Sequence, residues 1–255
     1  LVSETSLFPL FKDYINKDEG VALAVLVRGP EDLLGAKALI PEKGDALGSL
    51  LEQPWRDQLL EDAYQLMQKR ADSTTRRYQN GEVEIFFDIH RPLPRLIIVG
   101  AVHIADSIIR YAKPLGFRTY LVDPRTAFAT TERFPHVDEM RAQWPDEALP
   151  DIGLNSEAAV VVITHDPKLD DPALKIALAS PAFYVGALGS PKTHAQRVER
   201  LLAEGLSQEQ LNRLHAPIGL NIGGRTPAEI ALSIMAEIIA TRNKAPLANR
   251  VPQNH

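Results

Sequence analysis

Four stretches of this 255-residue chain carry residue types at spacings that suit chemistry. The first is Gly100-Ala101-Val102-His103, which follows the apolar run 96–99 (LIIV) and precedes a helical pattern over 104–115. Asp123 ends the next apolar run, and Arg125 stands two residues beyond it. This layout is that of a dinucleotide turn, in which a helix N-terminus faces a pyrophosphate and the acidic residue accepts from a ribose diol. Two of the three expected glycines are replaced, by Val102 and Ala105. A β-branched valine obstructs the close backbone approach that a pyrophosphate needs. Weak or absent NAD or NADP binding is therefore expected, and a turn kept for folding is the plainer reading.

The second stretch is Gly186-Ala187-Leu188-Gly189-Ser190-Pro191-Lys192. It brings backbone N–H groups, a hydroxyl and an ammonium to a helix N-terminus, which suits an anion. A capped helix start with a solvated lysine is the plainer alternative. The third runs from His215 to Thr226 and contains Gly223-Gly224-Arg225. A long glycine-rich loop is frequently functional, and an arginine fork can clamp a phosphate. The fourth is Thr164-His165-Asp166 at the end of a VVVI run, with a hydroxyl, an imidazole and a carboxylate in sequence. His103, His165 and His215 all fall at strand ends or loops, so these three are the candidate acid–base residues. No H-x-x-x-H or H-E-x-x-H spacing occurs, so no metal site is expected. There is also no G-x-S-x-G elbow and no Walker lysine loop.

The elements that position these residues divide at His90-Arg91-Pro92-Leu93-Pro94, where closely spaced prolines exclude a helix and disfavour a central strand. Residues 1–90 read as a smaller α+β domain. Its pattern is a helix capped by Ser6 and running to about residue 18, strands at 21–27 and 36–40, an amphipathic helix at 54–69, and a hairpin. The hairpin strands, 74–79 and 82–89, flank Asn80-Gly81, a pair suited to a two-residue type I′ turn. Residues 95–243 alternate apolar strands (96–99, 119–122, 160–163, 183–185) with helical patterns. Strands apolar on both faces and separated by helices define a Rossmann-like doubly wound parallel sheet, so the fold class is α/β. The helix starts read as Asp171-Pro172, Ser190-Pro191, a capping box at Ser207-Gln210 opening a helix to about His215, and Thr226-Pro227-Ala228-Glu229. Residues 244–255 read as a disordered tail.

Composition narrows the function further. Lys plus Arg is 28 and Asp plus Glu is 33, a formal net charge of −5, which speaks against non-specific nucleic-acid binding. No apolar stretch is long enough for a membrane span, and the opening residues lack the pattern of a signal peptide. The chain has no cysteine, so thiolate catalysis, disulfides, cysteine-ligated zinc and iron–sulfur clusters are excluded for it. A cytoplasmic setting is consistent with this.

The stretch LIIVGAVHIADSIIRYAKPLGFRTYLVDPR, with VVVITHD, YVGALGSPKT and LHAPIGLNIGGRTPAEIALSIMAEIIATR, resembles the XdhC/CoxI family over roughly residues 20–242. Its most specific motifs are LHAPIG followed by IGG-x-T-P-x-E-I-A. The resemblance implies a molybdopterin-cofactor chaperone for molybdenum hydroxylases such as xanthine dehydrogenase. Such a protein binds the cofactor, supports its sulfuration with a cysteine desulfurase, and delivers it to the apo-enzyme. It further implies a small N-terminal domain before a Rossmann domain, and a homodimer. Two departures stand out. The family turn G-A-G-H is here Gly100-Ala101-Val102-His103. The family's G-G-C-x-E segment has no cysteine-bearing equivalent; the nearest stretch is Leu47-Gly48-Ser49-Leu50-Leu51-Glu52. An accessory protein rather than a catalyst is thus expected, with the cofactor phosphate near residues 186–192 or 223–225. The alternatives are a nucleotide-dependent oxidoreductase that uses Asp123 and a histidine, and a regulatory protein that keeps only the docking surface.

Overall fold

The computed structural model describes residues 7–68 and 72–246. The Ser6 cap, Lys69 and most of the expected tail (247–255) lie outside the described residues. The chain forms two compact units, Leu1–Pro92 and Leu93–His255.

The first unit is an antiparallel sheet in the order β2-β1-β4-β3, built from β1 (Val21–Arg28), β2 (Lys37–Pro41), β3 (Thr74–Tyr78) and β4 (Val83–His90). Strand β1 is apolar up to Val27, and both of its faces are covered as far as Leu26. Ala22, Ala24 and Leu26 join the cluster under α2 (Arg56–Gln68), whereas Val21 and Leu23 pack with Leu7 and Phe11 of α1 (Leu7–Asn16). The hairpin differs from the two-residue turn expected. Tyr78 pairs with Val83, and Gln79, Asn80 and Gly81 all take positive φ, so four residues make the connection. The buried Tyr78, bonded to Asp62 at 2.7 Å, holds that register.

The second unit is a six-stranded parallel sheet. Its strands are β5 (Arg95–Val99), β6 (Arg118–Val122), β7 (Glu139–Arg141), β8 (Ala158–Val162), β9 (Tyr184–Ala187) and β10 (Leu214–His215), in the order β7-β6-β5-β8-β9-β10. Residues alternate between two cores. Ile97 and Val99 face α4 (Pro145–Ile152), α5 (Pro167–Ala179) and α6 (Pro191–Ala203), whereas Leu96 and Ile98 face α3 (His103–Ala112) and α8 (Pro227–Arg242). The sheet is therefore doubly wound, as the pattern required.

Local boundaries moved for identifiable reasons. Helix α5 starts at Pro167 under an Asp166 cap, which accepts from Lys168 N at 3.0 Å, and not at Asp171-Pro172. Asp171 is unavailable as a cap because Arg200 binds both of its oxygens, at 2.5 and 3.1 Å. Helix α7 (Gln208–Leu211) ends early because residues 214–215 pair with Val185 and Gly186 as β10. The caps at Ser190, Ser207 and Thr226 form as expected. Strand β7 and helix α4 had no clear signal: β7 is three half-buried residues, and Trp144 at the start of α4 provides no side-chain cap.

Candidate functional site

Strand order reverses between β5 and β8, and parallel sheets bind ligands beyond the carboxyl ends of their strands at such a point. The turns after β5 and β8 meet there. Gly100 has φ +119°, and a Cβ on it would lie 2.8 Å from Thr164 Cγ2 and 3.2 Å from Thr164 N. Glycine is thus required by the contact between the two turns as much as by the backbone angle.

Asp123, fully buried at the end of β6, is already engaged. It accepts from Ala101 N at 2.8 Å, from Arg125 N at 2.9 Å, and from Arg125 Nε and Nη2 at 2.9 and 2.7 Å. Burial opposes its charge, but the Arg125 fork and these N–H donors outweigh it and hold its pKa below the usual value. A ribose diol would have to displace Arg125. In this geometry Asp123 ties the glycine turn to the β6 loop.

On the other side of the switch point, Thr164 Oγ1 donates to Asp170 at 2.5 Å and accepts from Asp166 N at 3.0 Å. Arg197 Nη2 donates to Asp170 at 3.1 Å and to the Leu188 carbonyl at 3.0 Å. Both ends of this pair are buried, with side-chain exposures of 1% and 3%. Burial pushes the Asp170 pKa up against the pull of Thr164 and Arg197. The Arg197 guanidinium runs beneath the β9–α6 turn, with Nη1 3.6 Å from where a Gly189 Cβ would stand. Its Nε and Nη1 are buried without hydrogen-bond partners among the described residues. Asp170 and Arg197 escaped the sequence reading because each sits inside a helix with no local motif.

The other candidates separate. His103 and His165 are exposed, at the first residue of α3 and at a φ of +65° respectively. His215 lies on β10; its Nδ1 is 3.2 Å from Glu237 Oε1 and its ring packs on Tyr184, with centroids 4.4 Å apart. Glu237 is fully buried and also accepts from Tyr184 Oη at 2.6 Å and Gly219 N at 2.8 Å. Burial alone would raise its pKa, but these partners hold it at about 2. A charged residue on the buried face of an otherwise apolar helix was the available signal for it. No contact joins the three histidines, and among the described residues no cluster is arranged to hold a metal.

Two glycines serve packing. A Cβ on Gly186 would meet Ile218 Cδ1 at 2.6 Å, and one on Gly224 would meet Glu229 Cβ at 2.8 Å. The N–H groups of Arg225 and Thr226 both donate to Glu229, at 2.8 and 2.9 Å, and Glu229 N donates to Thr226 Oγ1 at 3.3 Å, so a capping box closes over the residues just before α8 while Arg225 is exposed. Ser190 caps α6 by accepting from Thr193 N at 3.2 Å, while Lys192 is exposed nearby. Both helix starts thus have their third N–H capped by the preceding hydroxyl and an exposed basic residue beside them; the β9–α6 turn differs in the buried Arg197 guanidinium beneath it.

The strand order and switch point define a Rossmann-type protein, and the comparisons narrow this. The XdhC Rossmann domain model matches residues 96–238. The chain belongs to the XdhC family. It is 30% identical over 190 residues to a probable xanthine dehydrogenase subunit of Bacillus subtilis strain 168, covering 74% of this chain and 54% of that one. It is 28% identical over 152 residues to the molybdenum cofactor insertion chaperone PaoD of Escherichia coli strain K12, covering 60% and 41%. It spans about half the length of the curated relatives it matches. A crystal structure of a xanthine dehydrogenase from Bacillus halodurans has the same fold, with a TM-score of 0.67 at 24% identity over 96% of this chain and 68% of that one. Among the described residues no helix is long and apolar enough to cross a membrane.

Proposed function

We propose that this chain binds a molybdopterin-type cofactor and acts as an insertion chaperone for a molybdenum hydroxylase apo-enzyme. The observation that carries the reading is the buried Arg197 guanidinium with two unpartnered donor atoms beneath the Gly189-Ser190 turn, at the ligand-binding edge of the sheet. With Ser190 and Lys192 above it, this turn suits a phosphate. The names of the relatives from B. subtilis and E. coli support the cofactor class. The residues fit the anionic end of such a cofactor. They supply no thiolate to its molybdenum, because the chain has no cysteine. Its work would be binding and delivery, with sulfur chemistry, where it occurs, carried by a desulfurase partner. The nicotinamide alternative is disfavoured by Val102 in the turn and by the Arg125 fork on Asp123.

Native mass spectrometry of the chain purified from a molybdenum-replete host tests this. A bound pterin supports the proposal. A nicotinamide nucleotide, or a chain that emerges empty and fails to take up purified cofactor, overturns it. The same spectrum reads the homodimer expected for the family, and pull-down of the apo-hydroxylase reads the partner.

A further inference from the structure

The longest connection that leaves the ligand-binding end of the sheet is the β6–β7 crossover, residues 123–138, which contains no helix or strand. Loops this long inside a compact domain are uncommon without a function. This one is held firmly. Ala129 and Phe134 are buried in the core beside α3. Phe128 N and Ala129 N donate to the Arg125 carbonyl, and Arg133 N and Phe134 N to the Thr130 carbonyl. Immediately before the first anchor, Phe128 is presented to solvent, 46% exposed.

A lone exposed phenylalanine is ordinary. Two guanidinium groups against its ring are not. Arg125 Cζ lies 4.9 Å from the ring centroid and Arg133 Cζ 5.8 Å from it. Arg133 Nη1 also donates to the Phe128 carbonyl at 2.8 Å, which ties the cation to the backbone beneath the ring, and its Cζ lies 5.3 Å from the Phe134 centroid. The Arg125 guanidinium is the same group that forks onto Asp123, and Asp123 in turn holds Ala101 N of the glycine turn. One side chain thus sets the position of an exposed aromatic relative to the switch point.

We infer that Phe128, with Arg125 and Arg133, forms a stacking subsite for the planar heteroaromatic ring of a phosphate-bearing ligand. An aromatic ring accepts a flat ring, and the guanidinium groups beside it, paired with Asp123 and with the Phe128 carbonyl, extend the stacking platform, while the phosphate falls to the β9–α6 turn. This deepens the cofactor reading and rests on it; Arg125 also feels the carboxylates of Asp166 and Asp170 from across the switch point. Its chemistry is shared by a pterin phosphate and by a nucleotide, which the test separates.

The test titrates the full chain calorimetrically with two probes, neopterin triphosphate and ADP. At least one is expected to bind. Phe128→Ala should weaken that binding about tenfold, the scale of one lost stacking contact. Phe128→Trp should keep it within about threefold, and Arg133→Gln should weaken it about threefold, as for an exposed charge. The melting temperatures of the variants should stay within about 2 °C of the parent, because Phe128 is not a core residue. Should Phe128→Ala fail to fold, Phe128→Trp carries the test: its indole fluorescence must quench on probe binding. The inference is overturned if neither probe binds, if Phe128→Ala binds as tightly as the parent, or if the introduced indole does not respond. Phe128-dependent binding of ADP alone keeps the subsite and removes the molybdopterin reading, so the two can fail separately.

Discussion

Glu237→Gln isolates the buried network that holds β10 to α8. Glu237 is fully buried, and its pKa is held at about 2 against an ordinary 4.5. At about 1.4 kcal/mol per pKa unit, that difference corresponds to roughly 3 kcal/mol favouring the folded, ionised form. Because the folded pKa is depressed, this stability is present in full above about pH 4.5. It is lost as pH falls toward about 2. Urea unfolding at pH 7, 5, 4 and 3 reads it. At pH 7 the glutamine variant should be less stable by about 1–3 kcal/mol, since the amide offers weaker acceptance to Tyr184 and Gly219. The gap between parent and variant should then shrink on acidification. Between about pH 4.5 and 2 the parent loses up to about 1.4 kcal/mol more per pH unit than the variant. Taking the difference removes the contribution of other depressed carboxylates such as Asp123 and Asp138, which titrate in both proteins. A gap that stays constant from pH 7 to pH 3 refutes the reasoning, because Glu237 would then carry no linked proton.

Three further outcomes follow from the site. Gly100→Ala should destabilise by roughly 2–4 kcal/mol, from the positive φ and the approach to the Thr164 backbone, and Thr164→Ser should recover only the part due to Cγ2; unchanged unfolding midpoints would refute this. Arg197→Met should cost about 3–5 kcal/mol in chemical unfolding because it strands Asp170 in the core, and adding Asp170→Asn should restore part of it, whereas additive losses would show that the pair is not coupled. NAD and NADP should bind more weakly than about 1 mM by calorimetry, with Val102→Gly tightening any residual binding; micromolar affinity in the parent would remove the obstruction argument.

The end of the molecule that carries the site was legible in the sequence. Apolar strands that terminate in Gly100, Asp123 and Thr164 place polar residues at their carboxyl ends, and strands apolar on both faces with helices between them make the sheet parallel, so these ends lie together. Caps with local chemistry, at Ser190, Ser207 and Thr226, were legible for the same reason: donor and acceptor lie within a few residues of each other. The pairings across elements were not. Asp171 looked like a cap beside a proline, and only Arg200, 29 residues on, shows why it does not act as one. Asp123 looked like an acceptor waiting for a ribose, although its oxygens are filled by Arg125 and by the very turn it was expected to assist.

That last pairing shapes the chemistry of the whole edge. In a dinucleotide site the acidic residue after the second strand stays open to the ligand, and the glycine turn admits the pyrophosphate. Here the carboxylate closes onto the turn and the arginine closes onto the carboxylate. Val102 stands where the second glycine would be. The polar groups on the β5–β6 side of the switch point are therefore spent on internal order, and the aromatic ring of Phe128 is what that order presents outward. On the β8–β9 side the balance is reversed, because Arg197 keeps two donor atoms unpartnered beneath Gly189. A ligand that matches this edge has a flat ring for the first side and an anionic end for the second. On the proposed reading a pterin phosphate fills both roles without the ribose contact that the Arg125 fork denies to Asp123.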